Sequence, residues 1–264
     1  MAEPEEDTID DKPMPLLEHL VELRKRLMWA LLSFVIAFAV CYYFSKQIYM
    51  FLAQPLADIL QEKTGQERRM IFTALTEAFF TYLKVAMFGA AFISFPIAAS
   101  QLWLFVAPGL YRSEKRALLP FLAATPVLFL LGASLAYYFI FPLAWRFFLS
   151  FEVPATAGNL PIQLEAKVSE YLGLVMKLIF AFGIAFEMPV ALTLLAKVGI
   201  ISAAGLRKHR RYAYVGMFVI AAVLTPPDII SQLGLAIPLL GLYEISVLMA
   251  AWVQPKPAED AGNA

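Results

Sequence analysis

Two carboxylates close to bases give the sequence its first candidate binding site. Glu22 lies in an amphipathic segment, 16–27, that carries three consecutive bases, and Glu114 lies in a short basic segment, 111–116. Two carboxylates on one face of a protein could bind planar guanidinium groups through paired, charge-assisted hydrogen bonds, a geometry that lysine cannot reproduce. The plainer interpretations are that Glu22 forms ion pairs with the bases of its own segment, and that Glu114 is a solvated loop charge.

A third carboxylate, Glu187, interrupts a long apolar stretch. It lies ten residues from both Lys177 and Lys197, which in a helix places it about 15 Å from either charge. That is the depth of a bilayer midplane, where an ionised side chain costs about 3 kcal/mol or more, so Glu187 should face protein or a water-filled cavity. It could be a functional polar site, or it could form only an interhelical hydrogen bond to a Ser or Thr.

The elements that must hold these carboxylates are apolar helices. Of the 264 residues, 61% are hydrophobic and 16% are charged, against about 45–50% and about 25% in soluble domains. Six apolar stretches, most of them long enough to cross a hydrocarbon core of about 30 Å, predict an all-α, polytopic membrane protein with six transmembrane helices. The predicted spans are about 27–45, 85–107, 118–142, 172–196, 212–226 and 229–252. They form a membrane domain, 15–253, between an acidic tail, 1–14, and a short polar tail, 254–264.

The remaining composition argues against most soluble chemistry. The chain has one cysteine and two histidines, and its 21 basic side chains equal its 21 acidic side chains. One cysteine excludes a disulfide framework and a thiolate zinc site, and a net charge of zero argues against the usual nucleic-acid binder. No nucleotide-binding or nucleophile motif occurs. We therefore predict no enzymatic activity, no cofactor and no bound metal.

Basic residues set the predicted orientation. The predicted loops 112–116 and 197–211 are rich in Lys and Arg, whereas the turn Pro226-Pro227-Asp228 between the last two spans has no base. Basic loops tend to stay in the cytoplasm, and an even number of spans returns the chain to the side on which it began. Both termini are therefore predicted to be cytoplasmic.

The last two predicted spans have short charge-free runs, 212–227 and 229–243, of which the second continues past Glu244. As a helix, residues 212–227 reach only about 24 Å, several ångströms less than the hydrocarbon core. Such a mismatch is relieved by local thinning of the bilayer or by association with other helices. Asp228 and Gln232 place polar groups at the start of this thin region. A plain helical hairpin with a capped turn explains them equally well.

Four separated motifs together resemble one protein family. They are HLVELRKRL at 19–27, WLFVAPGLY at 103–111 followed by Glu114, FEMPV at 186–190 and LTPPD at 224–228. In this order they resemble TatC, the multispanning receptor subunit of the twin-arginine protein translocase, from about residue 15 to residue 252. The resemblance implies curved helices in a glove-like arrangement with a concave face. It also implies a bacterial cytoplasmic (inner) membrane location and export driven by the proton-motive force.

The resemblance implies a receptor surface at the cytoplasmic side. Glu22 and Glu114 would bind the paired arginines of the twin-arginine signal peptide on a folded precursor protein. Arg24 and Leu27 would belong to the same recognition surface, and Phe105 would lie at its edge, beside the first cytoplasmic loop.

The resemblance also implies roles deeper in the membrane and at the far side. Glu187 would be the polar group inside the concave face. Pro55 and Tyr137 match positions that are important at the periplasmic side, and Asp228 would be a structural residue there.

Partner proteins follow from the same resemblance. Thr225 and Gln232 would contribute to a polar docking site for the single-span subunits TatA and TatB. Because six helices of one chain are too few to enclose a folded protein, self-association in a larger Tat complex is expected as well.

A transporter of a different class is the alternative. A proton-coupled small-solute secondary transporter would use Glu187 as its proton carrier, since transporters often place a carboxyl at the bilayer midplane. Uptake that is driven by a pH gradient and abolished in Glu187→Gln would favour that function.

Overall fold

The protein is helical throughout most of the residues that its structure describes. The computed structural model describes residues 16–64, 69–106, 119–153, 160, 162–225 and 228–254. The predicted tail 1–14 and Glu114 lie outside these residues. In chain order the helices are α1 (Leu16–Tyr43), α2 (Ser45–Thr64), α3 (Glu77–Val106), α4 (Leu119–Leu135), α5 (Phe141–Leu149), α6 (Val168–Phe186), α7 (Met188–Lys197), α8 (Ala203–Lys208), α9 (Arg210–Leu224) and α10 (Ile229–Val253).

Five helical stretches in the described part of the chain are long and apolar enough to cross a membrane. They are His19–Tyr43, Glu77–Phe105, Pro120–Leu149, Val168–Lys197 and Ile229–Val253. The second stretch begins before the predicted start at residue 85, because the helix already begins at Glu77 and includes the charged Lys84. The predicted all-α fold with several membrane-crossing helices is therefore confirmed. The predicted span 212–226 corresponds to α9, whose 15 residues reach only about 22 Å.

Helix α2 is an element that the apolar windows did not predict. We call the end of the molecule at which α1 begins the inner end, and the end at which α1 finishes and α3 begins the outer end. At the outer end α2 follows α1 after one residue, Phe44. Its buried side chains Leu52, Leu56 and Ile59 recur at helical spacing and so form one apolar face. Because proline is unfavourable inside a helix, the interior Pro55 makes α2 difficult to predict from the sequence.

The buried core is centred on α6. Its side chains Leu172, Val175, Leu178 and Phe182 are fully buried and recur every three or four residues, as one helix face requires. Helix α4 packs against α6, α10 packs against α7 and α9, and α1 packs along α3. Only 11% of the apolar part of the candidate span His19–Tyr43 in α1 is buried inside the protein, whereas 56% of the apolar part of Val168–Lys197 is buried. Helix α1 is therefore the peripheral span.

Two candidate spans contain breaks in the regular helical ladder. Helix α6 ends and α7 begins at Glu187, whose N–H donates to the carbonyl of Ile184 at 3.0 Å. Pro189 has no N–H to continue the ladder. In the third span a π-helical turn, Ala136–Ile140, joins α4 to α5 just before Pro142. Carbonyls freed by such breaks need donors from elsewhere in the protein, because lipid supplies none.

At the outer end a buried carboxylate joins two segments that are distant in sequence. Glu77, the first residue of α3, accepts hydrogen bonds from the N–H of Thr73 at 2.8 Å and from the hydroxyl of Ser169 at 2.6 Å. Beside it the N–H of Val168 donates to the carbonyl of Ile71 at 2.9 Å. Glu77 thereby fixes the beginning of α3 to the beginning of α6.

Candidate functional site

A paired carboxylate and guanidinium lie between α1 and α3 at the inner end. Nη2 of Arg26 donates to Oε1 of Glu22 at 2.9 Å, and Nη1 of Arg26 donates to Oε1 of Gln101 at 3.4 Å. Both charged side chains are about three-quarters buried, with exposed fractions of 24% for Glu22 and 28% for Arg26. The contact within one helix follows directly from the i, i+4 spacing.

This ion pair leaves hydrogen-bonding capacity unused on both partners. Within the described residues only one oxygen of Glu22 accepts a hydrogen bond from Arg26, and Nε of Arg26 is buried without a partner. The pair borders an open groove of about 490 Å³ that Val21, Lys25 and Trp29 also line. The carboxylate is therefore positioned for a guanidinium group but is not saturated by the one it holds.

The other predicted recognition residues lie around α1 rather than beside Glu22. The ring of Phe105 stacks on His19 with centroids 4.4 Å apart, so the inner ends of α1 and α3 meet there. Leu27 is 63% exposed. Arg24 lines an adjoining groove that does not include Glu22, because two residues along a helix rotate a side chain by roughly 200°. The structure thus joins Glu22 with α3 and leaves Arg24 and Leu27 on other faces of the same helix.

Glu187 is buried at the junction of α6 and α7. Its exposed fraction is 7%, and neither carboxylate oxygen has a hydrogen-bond partner among the described residues. The hydroxyl of Thr125 is its polar neighbour and donates to the carbonyl of Phe121 at 3.2 Å. A buried carboxyl without a donor is costly and requires a specific reason to persist.

Tyr137 contacts the turn of α2 that precedes Pro55, at the outer end. Because Pro55 has no N–H, the carbonyl of Phe51 lacks its usual donor four residues ahead. The hydroxyl of Tyr137 donates to that carbonyl at 2.6 Å, and its ring stacks on Phe51 with centroids 4.4 Å apart. The hydroxyl of Tyr171 donates to the next carbonyl, that of Leu52, at 3.0 Å. A proline inside a helix is the sequence signal that such a donor is needed.

Removing the Tyr137 hydroxyl isolates the energy of this contact. In Tyr137→Phe the ring stack is kept but the Phe51 carbonyl loses its donor, so we expect a loss of about 1–3 kcal/mol. The melting temperature of the purified protein in detergent should fall by about 2–4 °C for each kcal/mol lost. Tyr138→Phe is the matched control, because Tyr138 is 68% exposed. Equal melting temperatures for both variants would contradict the assignment.

The residues at the turn between α9 and α10 form a capped hairpin. Thr225 is buried, and its hydroxyl donates to the carbonyl of Ala221 at 2.8 Å. Asp228 caps α10 by accepting from the N–H of Ser231 at 2.6 Å. The hydroxyl of Thr225 and one oxygen of Asp228 are therefore used inside the hairpin. The half-buried side chain of Gln232 makes no hydrogen bond within the described residues.

Sequence reasoning missed a polar anchor at the inner end. Gln254, at the start of the predicted C-terminal tail, donates from Nε2 to the carbonyl of Ile201 at 2.8 Å and accepts from the N–H of Ala203 at 3.0 Å. It therefore fixes the beginning of α8 to the end of α10. Among the described residues no group of three His, Cys, Asp or Glu side chains could hold a metal ion.

Comparisons with known proteins agree on one family. The family model described as Sec-independent protein translocase protein (TatC) matches residues 18–238. A protein of that name from Magnetococcus marinus is 51% identical over 249 residues, which cover 94% of this chain and 88% of the relative. One from Rickettsia prowazekii is 48% identical over 237 residues, 90% of this chain and 92% of the relative.

A solved structure has the same fold. The crystal structure of the twin-arginine translocase receptor TatC superimposes with a TM-score of 0.73 at 37% identity, covering 89% of this chain and 99% of that chain. The family model and both relatives extend over most of the sequence, and the family model includes the motifs around Glu22 and Glu187. The chain therefore belongs to the TatC family of Sec-independent protein translocase proteins.

Proposed function

We propose that this chain is the signal-peptide receptor of a twin-arginine translocase and that its inner end binds the paired arginines of the signal. The observation that carries the proposal is the contact between Glu22 and Arg26, in which a largely buried carboxylate already holds a guanidinium group at 2.9 Å. Glu114, in the motif after α3, is the proposed second carboxylate. Leu27 and Phe105 supply apolar surface for the signal peptide, and Arg24 belongs to the same recognition surface at the inner end.

The relative strengths of the contacts favour exchange of Arg26 for an arginine of the signal peptide. Arg26 reaches only one oxygen of Glu22, so the internal pair has a single charge-assisted hydrogen bond. A bidentate arginine makes two charge-assisted hydrogen bonds, and each hydrogen bond to a charged group contributes about 1.5–3 kcal/mol. The bidentate ligand therefore displaces the internal partner.

The bases around Glu22 add selectivity. Lys25 and Arg26 line the same groove as the carboxylate, so a cation that does not pair closely with Glu22 is repelled. A lysine of a signal peptide is a point charge without the planar fork of arginine and gains less from the carboxylate. Discrimination between arginine and lysine signals thus arises from attraction and repulsion together.

We propose that α9 crosses the membrane as the sixth span and that the inner end is cytoplasmic. Val215, Val219 and Val223 form an exposed apolar stripe along α9, as expected of a helix that faces lipid. Its short length requires a locally thinned bilayer. With six spans both termini lie in the cytoplasm, and the domain 15–253 forms a curved, glove-like wall in the bacterial inner membrane with Glu187 inside its concave face.

The hairpin of the short α9 and the longer α10 is the proposed docking site for the single-span subunits TatA and TatB. Gln232 is the polar side chain that remains available there, since Thr225 and Asp228 are engaged within the hairpin. The exposed stripe of α9 can pack against a partner helix, and this association relieves the mismatch between the short α9 and the thickness of the bilayer. In this proposal the chain is not an enzyme. Its assembly with partners and further copies creates the passage, and the proton-motive force drives export through it.

Membership of the TatC family favours this function over a proton-coupled solute transporter. The transporter hypothesis depended on the depth of Glu187 alone. In the proposed translocase the same carboxyl is a polar group on the substrate- or partner-facing side of the wall.

Export of a reporter protein tests the proposed function. In cells that lack their own TatC subunit, we expect this chain, supplied with TatA and TatB, to restore export behind a signal with two arginines. The same signal with two lysines should be exported at least about ten times less, because a lysine pair loses charge-assisted contacts of about 1.5 kcal/mol or more. Periplasmic reporter activity is the measurement. Equal export of both signals, or export without this chain, would contradict the proposal.

A further inference from the structure

Lys177 carries a charge inside a candidate membrane span. It lies in α6 within the stretch Val168–Lys197, and its side chain is exposed rather than buried in the bundle. Its ammonium group donates to the carbonyl oxygen of Val223, in the last turn of α9, at 3.2 Å. A charged residue within a span is expensive and usually marks a specific partner. The partner in this structure is a backbone carbonyl.

The sequence explains why this carbonyl needs a donor. In a helix the carbonyl of residue i accepts from the N–H of residue i+4, and the carbonyl of Ala221 does so from Thr225 at 2.9 Å. The corresponding residue for Val223 is Pro227, which has no N–H. Water satisfies such a group in a soluble protein but not at a lipid-facing surface. The positive charge of Lys177 also complements the negative end of the α9 dipole.

We propose that Lys177 is a positioning residue for the docking hairpin of α9 and α10. By donating to Val223 it ties the outer end of α9 to α6, and it thereby fixes the exposed stripe of α9 relative to Gln232 across the turn. Without this hydrogen bond the last turn of α9 frays. The exposed stripe of α9 and Gln232 then no longer have a fixed relative position for a single-span partner to bind. The inference rests on the proposed docking function of the hairpin.

Amide hydrogen exchange in lipid nanodiscs measures the tie directly. In Lys177→Met the donor is lost while an unbranched side chain only one atom shorter is kept, and Met is less costly than Lys in contact with lipid, so insertion is not impaired. We expect the amides of 221–225 to exchange about fivefold faster, which corresponds to about 1 kcal/mol for one hydrogen bond. The amide of Thr225 is the most direct reporter, because it closes the last turn.

Photo-crosslinking from position 232 measures the consequence for docking. With a crosslinking amino acid in place of Gln232, and TatB or TatA present in the same membranes, the yield to the partner should fall about fivefold in Lys177→Met. Lys177→Arg keeps a donor and should retain the exchange rates and the crosslink. Lys84→Met is the matched control, since Lys84 is exposed in another candidate span and makes no hydrogen bond or ion pair within the described residues. It should change neither readout.

The outcomes separate this proposal from the function on which it rests. Unchanged amide exchange in Lys177→Met overturns it, and so does faster exchange with an unchanged crosslink. If the chain with Lys177 intact gives no crosslink from position 232, the docking function of the hairpin fails and this proposal fails with it. Exchange needs no partner, so in that case it would still report whether Lys177 holds α9.

Discussion

Replacing Glu22 with Gln is expected to weaken binding of a twin-arginine precursor by about ten- to hundredfold. Gln keeps the size of the side chain but removes the charge and replaces one acceptor oxygen with an NH2 group, so the bidentate contact loses one charge-assisted hydrogen bond of about 1.5–3 kcal/mol. Because the side chain lies at the inner end of a peripheral helix, the fold should be unaffected. Crosslinking yield of a radiolabelled precursor to membranes that contain the variant is the measurement.

Arg26→Gln is the informative partner of this variant. It removes the internal guanidinium and leaves the carboxylate of Glu22 free, so precursor binding should be retained or strengthened. A loss of binding in Arg26→Gln equal to that in Glu22→Gln would mean that the ion pair, and not the free carboxylate, is what the signal peptide requires. Unchanged crosslinking in Glu22→Gln, with normal amounts of protein in the membrane, would remove Glu22 from the recognition surface.

Contacts within one helix or one turn were predictable from the sequence. The pairing of Glu22 with Arg26 follows from their spacing of four residues, and the cap of Asp228 on α10 from an acidic residue ahead of an apolar run. The burial of Glu187 follows from its distance to the flanking lysines. In each case the geometry of a single helix fixes the outcome, so no knowledge of the fold is needed.

Contacts between distant segments were not predictable in this way. Tyr137 reaches the carbonyl freed by Pro55 from a helix more than eighty residues away, and Lys177 reaches Val223 across a gap of 46 residues. A proline in a helix indicates that a carbonyl four residues earlier lacks its backbone donor, but the sequence alone does not indicate which side chain donates to that carbonyl. The packing of α2 could not be predicted either, because the surface that its apolar face covers at the outer end is formed by segments distant in sequence.

Glycines at the crossing of α4 and α6 illustrate this limit further. In the sequence Gly132 and Gly183 are only small residues in apolar runs. In the structure a methyl group added at Gly132 would lie 2.8 Å from the carbonyl carbon of Phe182 and 2.9 Å from the ring of Phe186. The two helices thus approach so closely that only a hydrogen atom fits, as is common where membrane helices cross.

Gly132→Ala is expected to lower the free energy of unfolding by about 1–3 kcal/mol or more, because the added methyl group meets backbone that cannot rotate away. Gly173→Ala, in α6, is the matched control. A methyl group there has nothing within 4 Å, and the change should be neutral or stabilising by up to about 1 kcal/mol. Thermal unfolding in detergent and the amount of protein in membranes are the measurements. Gly132→Ala should lower stability and precursor binding together, whereas Glu22→Gln should lower binding alone. Equal stability of the two alanine variants would show that α4 and α6 do not cross as closely as the structure places them.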